Sequence, residues 1–348
     1  MSTLRVEGIK NAAAASDAIT FAANSSASAN LSNYGRKNWI VNGGFEVHQR
    51  KDTTHSYSWC GDRFQHRTGS SAVIAQSSTV PAGFNKSMSL TASSGTLALA
   101  WNTVLEAGNN LSGTAIGGFF ANNTKWTVSI WSTRPVKVRV DFTDGYGPTN
   151  PVAIVAAYAN MTSTGETSNG FTRYKHTFDI GSNNPVGTSR GLHIGWSLVT
   201  AAADVKFTGA QLERGEYCGP YEHLSYGEYL RQCMRYYWRM ADGADLSGGA
   251  LSVGIIMGWA TNEVDLPVRF PVPMMKIPAI EQQGGTNYYN IEGSGSSSKV
   301  NGNFALQFGN VHGANIYATP SPNVTAGNAY HLTMRNAAAF IAFNAEFG

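Results

Sequence analysis

The chain has 348 residues, enough for two or three domains, with 42% apolar residues and 14% charged ones against a usual figure of about 25%. A net charge of +3 is too small to argue for nucleic-acid or membrane-surface attraction, and no apolar run approaches the roughly 20 residues of a membrane span. Low charge with 38 glycines, many small polar residues and 11% aromatics fits a β-rich surface protein and fits a helical cytosolic enzyme poorly.

Residues 1–36 carry a period-2 pattern over Thr3–Ile9 and a second strand signal around Ala18–Ala23, separated by Ala- and Ser-rich spacers. So short a segment cannot build a core of its own, so it must lie on other copies of itself or on a neighbouring protein. MSTLRVEG lacks the apolar stretch of a signal peptide. Cys60, Cys218 and Cys233 show no C-x-x-C spacing and read as free thiols.

Residues 37–220 read as one domain of short strands, from Trp39–Val41 through Lys125–Thr133 and Val136–Phe142 to Val205–Leu212. Gly- and Asn-rich turns separate them, and no helical period intervenes. Eight or nine strands at this spacing predict a sandwich or jelly roll. In WTVSIWS, Trp126, Val128 and Ile130 alternate with Thr127, Ser129 and Trp131, so one of the two faces should be core.

The segment 221–245 predicts a connecting helix over Ser225–Met240. Ser225 and Glu228 form a capping box, and Tyr226, Tyr229, Leu230, Cys233 and Tyr237 fall on one face. Those five are expected at an interface, between domains or between copies of the chain. Arg231, Arg235 and Arg239 form a second, solvated stripe, and Gly243 is placed to end the helix. Residues 246–348 read as a C-terminal β-sandwich. Prolines 267, 271, 273 and 278 mark an extended edge or crossing arm and argue against a central ladder strand there.

Catalytic patterns are weak. The one G-x-S-x-G, Gly187–Gly191, follows a turn and precedes a strand, so Ser189 lacks the strand–turn–helix setting of a nucleophile elbow. His48, His55 and His66 match no common metal spacing, and Asp141, Asp144, Glu166 and Asp179 show no pairing that favours glycoside hydrolysis. The expectation is no enzyme. Sugar binding needs exposed aromatic faces beside hydrogen-bonding groups. Tyr57, Trp59, Tyr288 and Tyr289 are the foremost candidates, with Trp101, Trp131, Tyr146, Trp196 and Tyr317 behind them.

Five stretches carry a resemblance. NWIVNGGFEVHQR (38–50) and GAQLERGEYCGPYEHLSYGEYLRQCMRYYWRM (209–240) resemble the opening and closing runs of the jelly-roll module in phage tail-fibre proteins. VRFPVPMMKIPAI (268–280) and the terminal AFNAEFG resemble the domain that follows in such proteins, and MSTLRVEGIKN is similar to the start of marine phage fibres. The resemblance implies an all-β virion fibre protein that is a homotrimer. It would attach to other virion proteins through residues 1–36 and recognise a host surface glycan, with neither nucleic-acid binding nor membrane insertion. Its likeness to carbohydrate-binding modules implies a structural calcium held by Glu46 and the carbonyls around Gly43. A carbohydrate-active enzyme, an accessory sugar-binding module, and a head-fibre, decoration or adaptor protein without host binding are the alternatives.

Overall fold

The computed structural model describes residues 8–9, 19–21, 27–29, 38–50, 53–59, 61–93, 95, 100–106, 123–143, 152–181, 191–243, 250–293, 296–300 and 304–346. Among these the fold is all-β with a single helix.

Three short antiparallel strands, β1 (Gly8–Ile9), β2 (Ile19–Phe21) and β3 (Ala27–Ala29), form a sheet of their own. The next unit holds β4 (Thr53–Trp59), β5 (Gln65–Ser77), β6 (Ser87–Ala92), β7 (Ala100–Glu106), β8 (Lys125–Ser132) and β9 (Val136–Thr143). It continues through β10 (Val152–Asn160), β11 (Thr162–Ser168), β12 (Phe171–Asp179), β13 (Gly191–Leu198) and β14 (Asp204–Arg214). They hydrogen-bond in the order β10-β9-β13-β7-β5-β6-β14-β8-β12-β11, with β4 added to β5.

That path folds over at β5, whose 13 residues pair with β7 near its start and with β6 near its end. One strand thus belongs to both layers of a sandwich. Alternation in β9 and β13 sends Val138, Val140, Ile194 and Trp196 inward, where they meet Phe207, Leu212 and Val128 of the other layer. Trp101 stacks on Phe207 at 4.3 Å between the layers. In β8 the Trp126, Val128 and Ile130 face is core, as the alternation allows. The other face is buried as well: Arg173 on β12 donates to Ser129 Oγ and to the Gly219 carbonyl of the crossing segment, and Trp131 packs on Phe84.

The opening run is not a strand. Residues 38–50 form turns packed against the sandwich, with the Trp39 amide donating to the Leu212 carbonyl. A Cβ at Gly43 would lie 1.9 Å from the Ala210 carbonyl oxygen, so only glycine allows this close approach.

The helix is shorter than its sequence pattern predicts. The capping box is present, but α1 spans Tyr226–Met234 and does not reach Met240. Tyr237 to Asp242 instead form strand β15, an edge of the three-stranded sheet β15-β24-β18, with β18 Ala279–Gln283 and β24 Phe340–Asn344. Aromatic residues favour strands, and the FIAFN run supplies a partner that pairs Trp238 with Phe343. A helical period continued past Met234 only in sequence.

A seven-stranded sheet completes the C-terminal unit, in the order β20-β19-β23-β16-β17-β22-β21. Its strands are β16 (Leu251–Ala260), β17 (Glu263–Arg269), β19 (Tyr289–Gly293), β20 (Ser296–Val300), β21 (Ala305–Gln307), β22 (Gly313–Ala318) and β23 (Ala329–Met334). Ile256, Val264, Ile316 and Leu332 of this sheet share a core with Ile341 and Phe343 of the small one, which makes the second sandwich. Pro267 lies in β17, a central strand, against expectation. The pairing of β17 with β16 reaches only Asp265, so Pro267 sits at a local edge on that side and pairs with Asn315 on the other.

Candidate functional site

The two sandwiches meet around α1. Val41, Val47 and Val104 from the first unit pack with Tyr229, Cys233 and Tyr236, and Met275 of the second unit joins them. Arg63 is buried over the Tyr236 ring at 3.5 Å and forms an ion pair with Glu346 beyond β24. Arg50 lies between the rings of Trp59 and Tyr237, at 4.0 and 3.7 Å, and reaches Glu346 at 3.4 Å. Glu106 accepts from Nε and Nη2 of Arg235, at 2.8 and 2.9 Å, and from the Tyr236 hydroxyl at 2.6 Å. Burial works to raise the Glu106 carboxyl, but those hydrogen bonds overcome it and hold the group below its ordinary value.

This geometry places the helix residues. Tyr229 and Cys233 are buried between the units, Leu230 is half-buried beside them, and Tyr237 is buried on β15 under Arg50. Tyr226 is the exception: it is 59% exposed and lies off the buried face. The arginine stripe is not uniformly solvated. Arg231 is exposed, whereas Arg235 holds Glu106 and Arg239 pairs with Asp242 at 2.9 Å.

The sugar-binding candidates divide. Trp59 has Arg50 over one face and is half-buried; the side chain of Tyr57 lies outside the described residues, as does Tyr146. Tyr289 is fully buried, its hydroxyl donating to the carbonyls of Gln283 and Phe340, so it presents no face to a ligand. Tyr288 is half-buried against the same core. Trp101, Trp131 and Trp196 are core.

The calcium expectation meets a poor donor set. The Gly43 carbonyl accepts the Ala210 amide, and Glu46 Oε1 accepts the Asn85 side-chain amide at 3.3 Å. No cluster of three or more His, Cys, Asp or Glu able to hold a metal exists among the described residues. His66 is buried in the first core and is not part of a loop cluster. Of the carboxylates, Asp141 is buried against Arg139 at 2.8 Å and His193 at 3.4 Å, Glu166 reaches Arg173 at 3.4 Å, and Asp179 caps a turn through the Gly181 amide. Asp144 and Ser189 lie outside the described residues.

The outer face of the seven-stranded sheet carries what the sequence reading missed. Along β16, Ile256 and Gly258 point inward, while Ile255, Met257 and Trp259 point out with exposures of 60%, 41% and 73%. The pattern was visible: large apolar residues at alternate positions, interleaved with glycines. It reads as a core face unless the small-residue side is recognised as the side that packs. Gly258 does so because a Cβ there would lie 2.6 Å from the Thr325 carbonyl oxygen.

Beside this stripe runs an open groove of about 1060 Å³, lined by Trp259, Met257, Asp265, Arg269, Phe308 and Asn315 among others. Cross-strand pairs set its floor, because Met257 pairs with Asp265 and Pro267 with Asn315 on one face. Phe308 is 86% exposed and held at φ +49°, a conformation bulky residues rarely adopt. Asp265 Oδ1 and Asn315 Oδ1 are buried oxygens with no hydrogen-bond partner. Exposed aromatic faces beside the half-buried polar side chains of Asp265 and Asn315 are the chemistry of a site for a polyhydroxylated ligand, whose C–H face lies on a ring while its hydroxyls meet polar groups.

No protein family model and no curated protein matches the chain. Among solved structures, it is similar to the enzymatically active domain of bacteriophage CBA120 tailspike protein 4, at 14% identity and a TM-score of 0.31 over 51% of this chain and 21% of that one. A structure titled CBM4 structure and function matches at 14% identity and a TM-score of 0.31, over 51% of this chain and 99% of that one. A xylan-binding domain from CBM 22 matches at 10% identity and a TM-score of 0.31, over 48% and 97% respectively.

Proposed function

We propose that this chain is a fibre-type virion protein that binds a surface glycan, without turnover, through the groove on its C-terminal sheet. The observation that carries the reading is the placing of two exposed aromatics, Trp259 and Phe308, in one open groove with the half-buried polar side chains of Asp265 and Asn315. The sheet β1-β2-β3 supports the attachment role of residues 1–36. Among the described residues these strands of two and three residues pair with one another, and so small a sheet needs a further surface to be stable. The homotrimer and the docking onto other virion proteins belong to the same reading.

Glycan-array binding of the soluble chain tests it, beside Trp259→Ala and Phe308→Ala. Loss of an aromatic anchor costs about 2 kcal/mol or more, so each variant is expected to bind more than tenfold more weakly with an unchanged melting temperature. Binding that is equal in wild type and both variants overturns the groove as the site. Electron microscopy of particles carrying a tagged chain tests the virion assignment.

A further inference from the structure

The groove is electrically polarised along β17. At one end Glu263 and Asp265 offer carboxylates, with the Asn315 side chain beside them. At the other, Arg269 and His312 are exposed, and Asn310 spends its side-chain oxygen on the amides of His312 and Gly313, which leaves its amide nitrogen as a donor. Asp265 and Arg269 stand four residues apart on the strand, roughly 13 Å at about 3.3 Å per residue, too far to neutralise each other directly. Among the described residues neither the Arg269 guanidinium nor the Glu263 carboxylate has an ion-pair or hydrogen-bond partner. An acceptor-rich end and a donor-rich end, both unspent, are joined by an aromatic floor.

From this polarity we infer that the ligand is an acidic oligosaccharide. One sugar places a carboxylate on Arg269, His312 and Asn310, while the hydroxyls of the sugars along the strand donate to Asp265, Asn315 and Glu263. A planar guanidinium suits a carboxylate because two parallel N–H bonds meet its two oxygens. The acid end enforces the direction, since a carboxylate set beside Asp265 and Glu263 meets like charge. This inference rests on the reading of the groove as a glycan site and adds the sugar class and its orientation.

The test uses the full chain and three pairs of probes: oligogalacturonate, oligomannuronate and oligosialic acid, each beside its counterpart with the carboxyls reduced to alcohols. Titration calorimetry is expected to show at least one acidic form binding about tenfold or more tighter than its reduced counterpart, the worth of one charge-assisted contact. Arg269→Gln is expected to erase most of that difference by weakening the acidic form at least severalfold more than the reduced one, while Trp259→Ala weakens both forms alike. Equal binding of acidic and reduced forms overturns the acidic class and leaves the groove reading standing. If no probe binds, and Trp259→Ala lowers the solution mass by breaking an assembly, the face is a contact between copies and both readings fall.

Discussion

Arg63 and Glu346 are 283 residues apart in sequence, yet they form an ion pair in which both side chains are almost wholly out of water, at 1% and 2% exposure. Arg63 also donates to the Val104 carbonyl, and Arg50 shares Glu346 from the other side. The first sandwich supplies the cations and the second supplies the anion. Removing one partner of a buried pair strands the other charge, at a cost of about 3–5 kcal/mol. Glu346→Ala is therefore expected to lower the unfolding free energy by that order and to separate one denaturation transition into two. A single transition with an unchanged midpoint, read by calorimetry, contradicts the coupling of the two units through this pair.

The Glu106–Arg235 contact gives the junction an acid limit. The carboxyl's folded-state value lies below its unfolded one, which is about 4.3 for a glutamate, so its contribution is fully present above that value and is lost as pH falls through the folded value. The stability difference between wild type and Glu106→Gln is expected to be constant near neutrality and to shrink below about pH 4. Urea titrations at several pH values measure it, and a difference that grows on acidification refutes the assignment.

Cys233 is fully buried between the units, and burial pushes its thiol well above the usual range, whereas Cys218 is only half-buried. Thiolate is the reactive form, so iodoacetamide is expected to leave Cys233 unmodified in the folded protein and to label it on unfolding. Mass spectrometry of tryptic peptides at neutral pH decides this. Rapid labelling of Cys233 in the native state would show that the α1 junction opens.

Deleting residues 2–36 removes the sheet β1-β2-β3 and leaves both sandwiches and their junction intact. The truncated chain is expected to fold with the same melting temperature and to be absent from purified particles. Normal incorporation of the truncated protein rejects the attachment role.

Chelation is expected to change nothing in the opening run. The Gly43 carbonyl and Glu46 already have protein partners, so EDTA should leave the melting temperature within a degree or so, a shift of a few tenths of a kcal/mol. A larger fall, restored by calcium, establishes a metal site.

What was legible in the sequence was mostly period and punctuation. WTVSIWS and VKVRVDF alternate, and their inward faces are the first core; Ser225 and Glu228 make the capping box they spell. Thr162–Ser168 is polar throughout with no apolar alternation, and Thr53–Trp59 alternates only at Tyr57 and Trp59; ladder pairing with β12 and β5 makes both strands. The helix was overextended because spacing cannot reveal a partner strand, here FIAFN, more than a hundred positions away. The groove was harder still. Trp259 was passed over because an alternating strand has two faces, and burial of one is decided by the backbone near Thr325 rather than by apolarity.

Glu346 has a consequence for synthesis as well as stability. As the chain emerges from a ribosome, the segments on either side of β4 that bear Arg50 and Arg63 appear early, and the carboxylate that pairs with both appears 283 residues after Arg63. Until then two cations sit where the finished protein has no water, so those segments must stay open while the sheets around them assemble. The second sandwich, in closing, acts as the last fastener of the first, and nascent chains stalled before residue 346 should remain sensitive to protease within 38–64.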